Sequence, residues 1–199
     1  MFCLKPGHRL RPSLCLISGL RPQRLINVLL ISILLWPNIS YSSVPPLGYD
    51  AKFHDPYFRQ VWLVFQHERL RPYHQRLVNQ DTDAFLDKVL RSASLYNLSP
   101  DLVLAIVHVE SRFDRFAISR AGAIGLMQVM PFWRKEIGSQ EDNLLDDNTN
   151  LMFGCAVLRH YLDKESGNLD RALARYNGSL GSSDYPRLVY QWWNSYSFY

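Results

Sequence analysis

From Phe58 onward the apolar residues of this chain recur every three or four positions and nowhere sustain a long alternation, which specifies packed helices and supplies no material for a sheet. Phe58, Val61, Trp62 and Phe65 stand at i, i+3, i+4 and i+7 and line one face of a first helix. Phe85, Val89, Ser92 or Ala93, and Tyr96 predict a second, stopped at Asn97. Ser99, Pro100 and Asp101 read as the start of a third: a hydroxyl for the free backbone N–H groups, a proline suited to the first turn, and an acid at the positive end of the helix dipole. That helix is expected to run from Pro100 to about Phe113. Three later stripes predict further helices, one through Leu151, Cys155, Leu158 and Leu162, one through Leu169, Ala172, Leu173 and Tyr176, and one through Tyr185, Leu188, Val189, Trp192 and Tyr196. Residues 117–131 hold Gly122 and Gly125 among hydrophobics and end in a proline, so they read as a turn leading into a short element. The expected architecture is mainly α: a helical domain over residues 81–199, preceded over residues 43–80 by a linker and a helical extension that is either packed on it or tethered to it.

Residues 1–42 differ in kind. Lys5, Arg9, Arg11, Arg21 and Arg24 precede the apolar run Leu25 to Trp36, and small residues follow at Ser40, Ser42 and Ser43. This is the layout of an export signal, expected to be removed near Ser42. The run is broken by Asn27 and stopped by Pro37, short of the roughly 20 apolar residues of a spanning helix. A membrane tether through this segment is the alternative. Removal takes five of the 22 basic residues and no acidic one, leaving 17 against 18 and a formal charge of −1. The sequence pI of about 9.0 is therefore mostly a property of the leader, and no nucleic-acid partner is expected, since that would need a basic face on the folded part.

No cofactor or metal is expected either. His108 and Glu110 form a His-x-Glu fragment, but the paired cysteines of a zinc deaminase are missing, and His67 and His74 have no carboxylates set to complete a site. Cys3 and Cys15 belong to the leader. Cys155, alone in the exported part, shares a helical stripe with leucines and is expected to be buried.

Glu110 is the residue whose position has chemical consequences. Val103, Ile106, Val107 and Glu110 form a stripe beside the apolar face Leu102, Ala105, Val109 and Phe113, so the carboxyl sits on the margin of a buried surface. Loss of hydration there disfavours the charged form and keeps a proton available for a leaving oxygen. A helical glutamate near Arg112 and Arg115 more often pairs at the surface, and physics alone does not single Glu110 out.

The run Pro100 to Pro131, PDLVLAIVHVESRFDRFAISRAGAIGLMQVMP, resembles the core of the soluble lytic transglycosylase domain, a bacterial relative of goose-type lysozyme. Downstream, Asn150 and Gly154 fit that family's Asn-x-x-x-Gly segment, and Ala172 to Asn177, ALARYN, fits its Ala-Leu-Ala-x-Tyr-Asn element. The resemblance implies a lysozyme-like helical fold, peptidoglycan glycan strands as the partner, and a periplasmic location. It makes Glu110 the catalytic acid and Ser111 its neighbour at the substrate groove. Gly125, Met127 and Gln128 would belong to the groove-lining Gly-Leu-Met-Gln element, Tyr176 would lie within reach of acid or substrate, and Asn177 would support the local turn. The implied reaction cleaves the β-1,4 bond between N-acetylmuramic acid and N-acetylglucosamine and closes a 1,6-anhydro ring, with one carboxyl acting as acid and then base. Phe132, Trp133, Val157 and the Gly178-Ser179 pair depart from the family pattern and bear on groove shape.

Two further readings stand beside this one: a lysozyme-type hydrolase of the same bond, and a non-catalytic wall-binding or secretion-assembly module. Asp114, one turn from Glu110, is expected to be a surface charge and not a second catalyst. Among the C-terminal aromatics, Trp192 and Tyr196 are expected in the core and Trp193 on a sugar- or partner-facing surface.

Overall fold

A computed structural model describes residues 48, 51–77 and 81–197. The export-signal reading of residues 1–42 lies outside the described residues. Within them the fold is mainly α, as the periodicity requires. The helices are α1 (Pro56–Leu70), α2 (Thr82–Leu95), α3 (Pro100–Ser111), α4 (Trp133–Ile137), α5 (Asp147–Lys164), α6 (Leu169–Asn177) and α7 (Asp184–Tyr196). Two isolated bridges, Ile118 to Ile124 and Ile124 to Val129, are the only strand-like pairings among the described residues. None of the described helices is long and apolar enough to cross a membrane.

Local chemistry sets most of the boundaries. Asp55, Asp81, Asp146 and Asn168 each accept a backbone N–H from the first turn of α1, α2, α5 and α6. Ser99 does not follow the expectation, since its side chain makes no capping bond to α3. Pro100 already removes one N–H from that turn, and Asp101 is turned inward to a different partner. Helix α3 also stops at Ser111, two residues before the expected end at Phe113. Arg112 and Phe113 both take left-handed backbone, with φ of 51° and 67°, and this turn drops the fully buried Phe113 ring between Tyr73 and Phe85.

Helix α3 is the centre of the molecule. Every residue from Pro100 to His108 is buried, as befits a helix apolar on all sides. Its most extensive partner is α7, which brings Val189, Trp193 and Tyr196 against it, while α5 packs on α2 and α6. The expectation for the tryptophans is therefore reversed. Trp193 is fully buried because it shares a face with Val189 and Tyr196, one turn away on either side, whereas Trp192 is partly exposed and stacks on His108 at 3.4 Å. Cys155 is buried as expected, and burial pushes its thiol well above the ordinary range.

The extension belongs to this core. Trp62 of α1 is fully buried and its indole Nε1 donates to Asp101 Oδ1 at 2.7 Å. Gln66 Nε2 donates to the same oxygen at 3.2 Å and to the Tyr196 carbonyl at 2.7 Å, tying α1 to both α3 and α7. Of the two arrangements left open by the sequence, the packed one is observed. Trp62→Ala should accordingly lower the stability of the whole domain by about 3–5 kcal/mol in urea unfolding, as for other large buried aromatics. A loss below about 0.5 kcal/mol, the usual ceiling for a surface change, would mean that α1 is merely appended.

Candidate active site

Residues 117–131 form a compact loop that three helices hold in place. From the first turn of α5, Asn150 Nδ2 donates to the carbonyls of Ile124 and Leu144, both at 2.8 Å, and its Oδ1 accepts the Met127 N–H at 2.8 Å. From the end of α3, Ser111 Oγ lies 2.8 Å from the Leu126 carbonyl and 3.1 Å from that of Val107. From α6, the Tyr176 hydroxyl donates to the Met127 carbonyl at 2.7 Å. Within the loop, Gln128 Nε2 donates to the Ala117 and Gly125 carbonyls at 3.1 and 3.0 Å.

Two glycines make this closeness sterically feasible. Gly125 has a φ of 79°, and a Cβ there would stand 2.4 Å from Asn150 Nδ2. A Cβ on Gly154, one turn after Asn150, would stand 2.3 Å from the Met127 sulfur. Met127 is fully buried in the seat so formed. Ser111, Gly125, Met127 and Gln128 are thus brought together, but chiefly by bonds that build the loop.

Glu110 emerges in the last turn of α3, partly buried, beside this loop's Ser111 anchor. The Tyr185 hydroxyl, from the start of α7, donates to Glu110 Oε1 at 2.6 Å. Burial raises the carboxyl to a pKa of about 7, and the Tyr185 bond opposes that rise without cancelling it. Burial, reinforced by the charge of Glu110, holds the phenols of Tyr176 and Tyr185 well above their ordinary value. They remain hydrogen-bond donors at neutral pH while Glu110 exchanges its proton. Such a carboxyl can give up a proton in one step and take one back in the next.

The remaining candidates stand apart. Asn177 is exposed at the end of α6, ahead of the left-handed Gly178 that closes the helix, and makes no hydrogen bond to the loop. Asp114 accepts the Phe116 N–H at 2.9 Å and so serves its own turn. The imidazole of His108 lies between the hydroxyls of Tyr196, at 2.7 Å, and Tyr73, at 3.3 Å, so the His-x-Glu fragment does not converge on one point. Burial and then Arg112 lower His108 to a pKa of about 4. Tyr185 was readable in the sequence only as one member of the α7 stripe. The one signal for its role was a hydroxyl on an otherwise apolar face, a polar tip that needs a partner when buried.

Residues 88–187 match the family described as "Transglycosylase SLT domain". A transglycosylase of Enterobacteria phage PRD1 is 36% identical over 94 residues, covering 47% of this chain and 34% of the relative. The membrane-bound lytic murein transglycosylase C of Yersinia pestis (strain Pestoides F) is 33% identical over 114 residues, covering 49% of this chain and 32% of the relative. The chain thus spans about a third of the length of these curated relatives. Among solved structures, an inactive mutant of the lytic transglycosylase Slt from Pseudomonas aeruginosa matches at 26% identity with a TM-score of 0.44, covering 54% of this chain and 19% of that one.

The geometry makes two predictions about stability. Asn150→Ala removes three bonds and leaves the Met127 N–H without its acceptor, so it should cost about 2–4 kcal/mol by urea unfolding, and a neutral result would contradict the seat described above. Glu110 carries the opposite sign. Its folded pKa lies above the ordinary value of 4.5, so the folded state binds the proton more tightly than the unfolded chain. Its contribution is neutral below about pH 4.5, becomes unfavourable as pH rises, and levels off above about pH 7. Glu110→Gln should therefore be more stable than the parent at pH 8, by about 2–3 kcal/mol, with the difference fading toward pH 4. A pH-independent difference would show that the carboxyl is ordinary.

Proposed function

The chain belongs to the transglycosylase SLT domain family, and from that footing we propose that it is a lytic murein transglycosylase in which Glu110 gives and then recovers the single proton that the reaction moves. The observation that carries this reading is the partly buried carboxyl bonded to Tyr185 at the end of α3, a setting that pushes its pKa up to about 7. Burial is the larger influence on its proton affinity, and the Tyr185 bond opposes it. One group with both protonation states accessible suits a reaction whose acid and base steps fall to the same residue.

In the first step Glu110 protonates the β-1,4 oxygen, which leaves with N-acetylglucosamine as its 4-hydroxyl. The N-acetyl carbonyl of N-acetylmuramic acid stabilises the positive charge left on C1. The Tyr185 hydrogen bond stabilises the carboxylate formed at that moment. In the second step the 6-hydroxyl of the same muramic acid attacks C1, its proton passes to Glu110, and the product is a 1,6-anhydro end. Ser111, Gly125, Met127 and Gln128 serve substrate binding by fixing the wall of the groove, with Tyr176 pinning the loop. Asn177 has the lesser role of ending α6. An exported chain would meet this polymer in the periplasm, and a relative whose name reads membrane-bound is compatible with an envelope location.

The test is digestion of purified peptidoglycan sacculi followed by mass spectrometry of the released fragments. The parent should yield anhydro ends, lighter by one water than reducing ends, and Glu110→Gln should release them about 10²–10⁴ times more slowly. Because the acid must be protonated in the free enzyme, kcat/KM should fall as pH rises through about 7. Tyr185→Phe removes a bond that favours the carboxylate, so it should raise the Glu110 pKa and move this limb to higher pH. Reducing ends would identify a hydrolase instead. Equal inactivity of parent and Glu110→Gln would identify a binding module.

A further inference from the structure

His108 precedes Glu110 by two residues, which directs the two side chains to nearly opposite sides of α3. On the His108 side a cavity of about 430 Å³ opens between the end of the extension, α3 and α7, within the span of roughly 300–1,000 Å³ common for small-ligand sites. Tyr73, His108 and Trp192 give it aromatic walls, Leu188 adds an exposed apolar rim, and Arg76 and Arg112 also line it, with no Asp or Glu in the lining. Neither arginine forms an ion pair among the described residues.

Three observations separate this cavity from an ordinary surface hollow. Its floor is fixed: both His108 nitrogens are within hydrogen-bond distance of tyrosine hydroxyls, and Trp192 stacks on the ring at 3.4 Å. Arg112 is directed by the chain, since its left-handed backbone lies between its own N–H bond to the His108 carbonyl, at 3.0 Å, and the buried Phe113. Finally, Tyr73, Arg76, Leu188 and Trp192 all fall outside residues 88–187, the segment that matches the family.

We propose that this cavity is a second binding site, for a carboxylate borne next to an aromatic or branched apolar group, as at the C-terminus of a peptide. The two guanidiniums receive the oxyanion, a geometry for which arginine is well suited. Trp192 and Leu188 receive the apolar group. This surface argues for an amphipathic anion over a bare one. The site is independent of wall cleavage, and its test needs no catalytic readout.

N-acetylphenylalanine is the probe, with N-acetylphenylalaninamide and inorganic phosphate as comparisons, titrated into the whole chain while the arginine Nε–Hε resonances are followed by NMR. The acid should shift two of these resonances saturably, and they should be the two missing from Arg76→Ala and Arg112→Gly. Arg76 is exposed, and glycine suits the backbone at position 112, so both variants should fold. Each should weaken binding about tenfold, and added salt should weaken it further. An equal response to the amide would overturn the proposal, because charge would not be read. Phosphate binding as tight as the acid would overturn it too, as would the absence of any saturable shift.

Discussion

A helix buried on every side has to surface at its end, and α3 does so through a carboxyl group. Residues 100 to 108 have no exposed face, which fixes α3 against α7, α2 and the extension before any chemistry is considered. Glu110 therefore leaves the core with part of its side chain still dry. Two further conditions meet at that point. The C-terminal end of a helix is the negative end of its dipole and disfavours an added negative charge, in the same direction as desolvation. Tyr185 opposes both with one hydrogen bond from α7. The proton affinity of Glu110 is thus a balance struck by the packing of the two helices, and disturbing either would shift it.

The family motifs look separate in the sequence and are one object in space. The Asn150-x-x-x-Gly154 pair lies one turn apart on α5, so asparagine and glycine face the same loop. The asparagine side chain gives the Met127 N–H its acceptor and adds a second bond to the Ile124 carbonyl, and the glycine leaves room for Met127. Gly125 allows the close approach from the other side. Each motif is unintelligible as local structure and sufficient only with its partner. Tyr176 and Ser111 add one bond each from two more helices, so a loop without regular structure is fixed as firmly as a helix.

What could be read from the sequence follows the range of the interactions involved. Helix positions were legible because apolar spacing is local, and so was the placement of Glu110 at the edge of a buried face. The end of α3 was not, because Arg112 and Phe113 adopt left-handed backbone for the sake of a tertiary contact of the Phe113 ring. Adjacent tryptophans differ by only about 100° around a helix, so Trp192 and Trp193 both bordered the stripe, and only the position of α3 decides which is buried. Ser99 makes no cap, and Asp101 spends its carboxylate on an indole 39 residues earlier. That same bond decided how the extension packs. Tyr185, 75 residues from Glu110, was beyond the reach of any spacing rule.

The two flanks of α3 show how burial sorts titratable groups by sign. Desolvation favours whichever form is neutral, so it raises Glu110 to about 7 and lowers His108 to about 4 on the same helix. Tyr176, Tyr185 and Tyr196 are pushed upward, away from neutrality, for the same reason. Of these five groups only Glu110 is left changing charge near pH 7. A proton arriving at or leaving this end of the helix then has one owner. That selectivity needs no second carboxylate to sharpen it, because the neighbouring rings are already committed to their neutral forms.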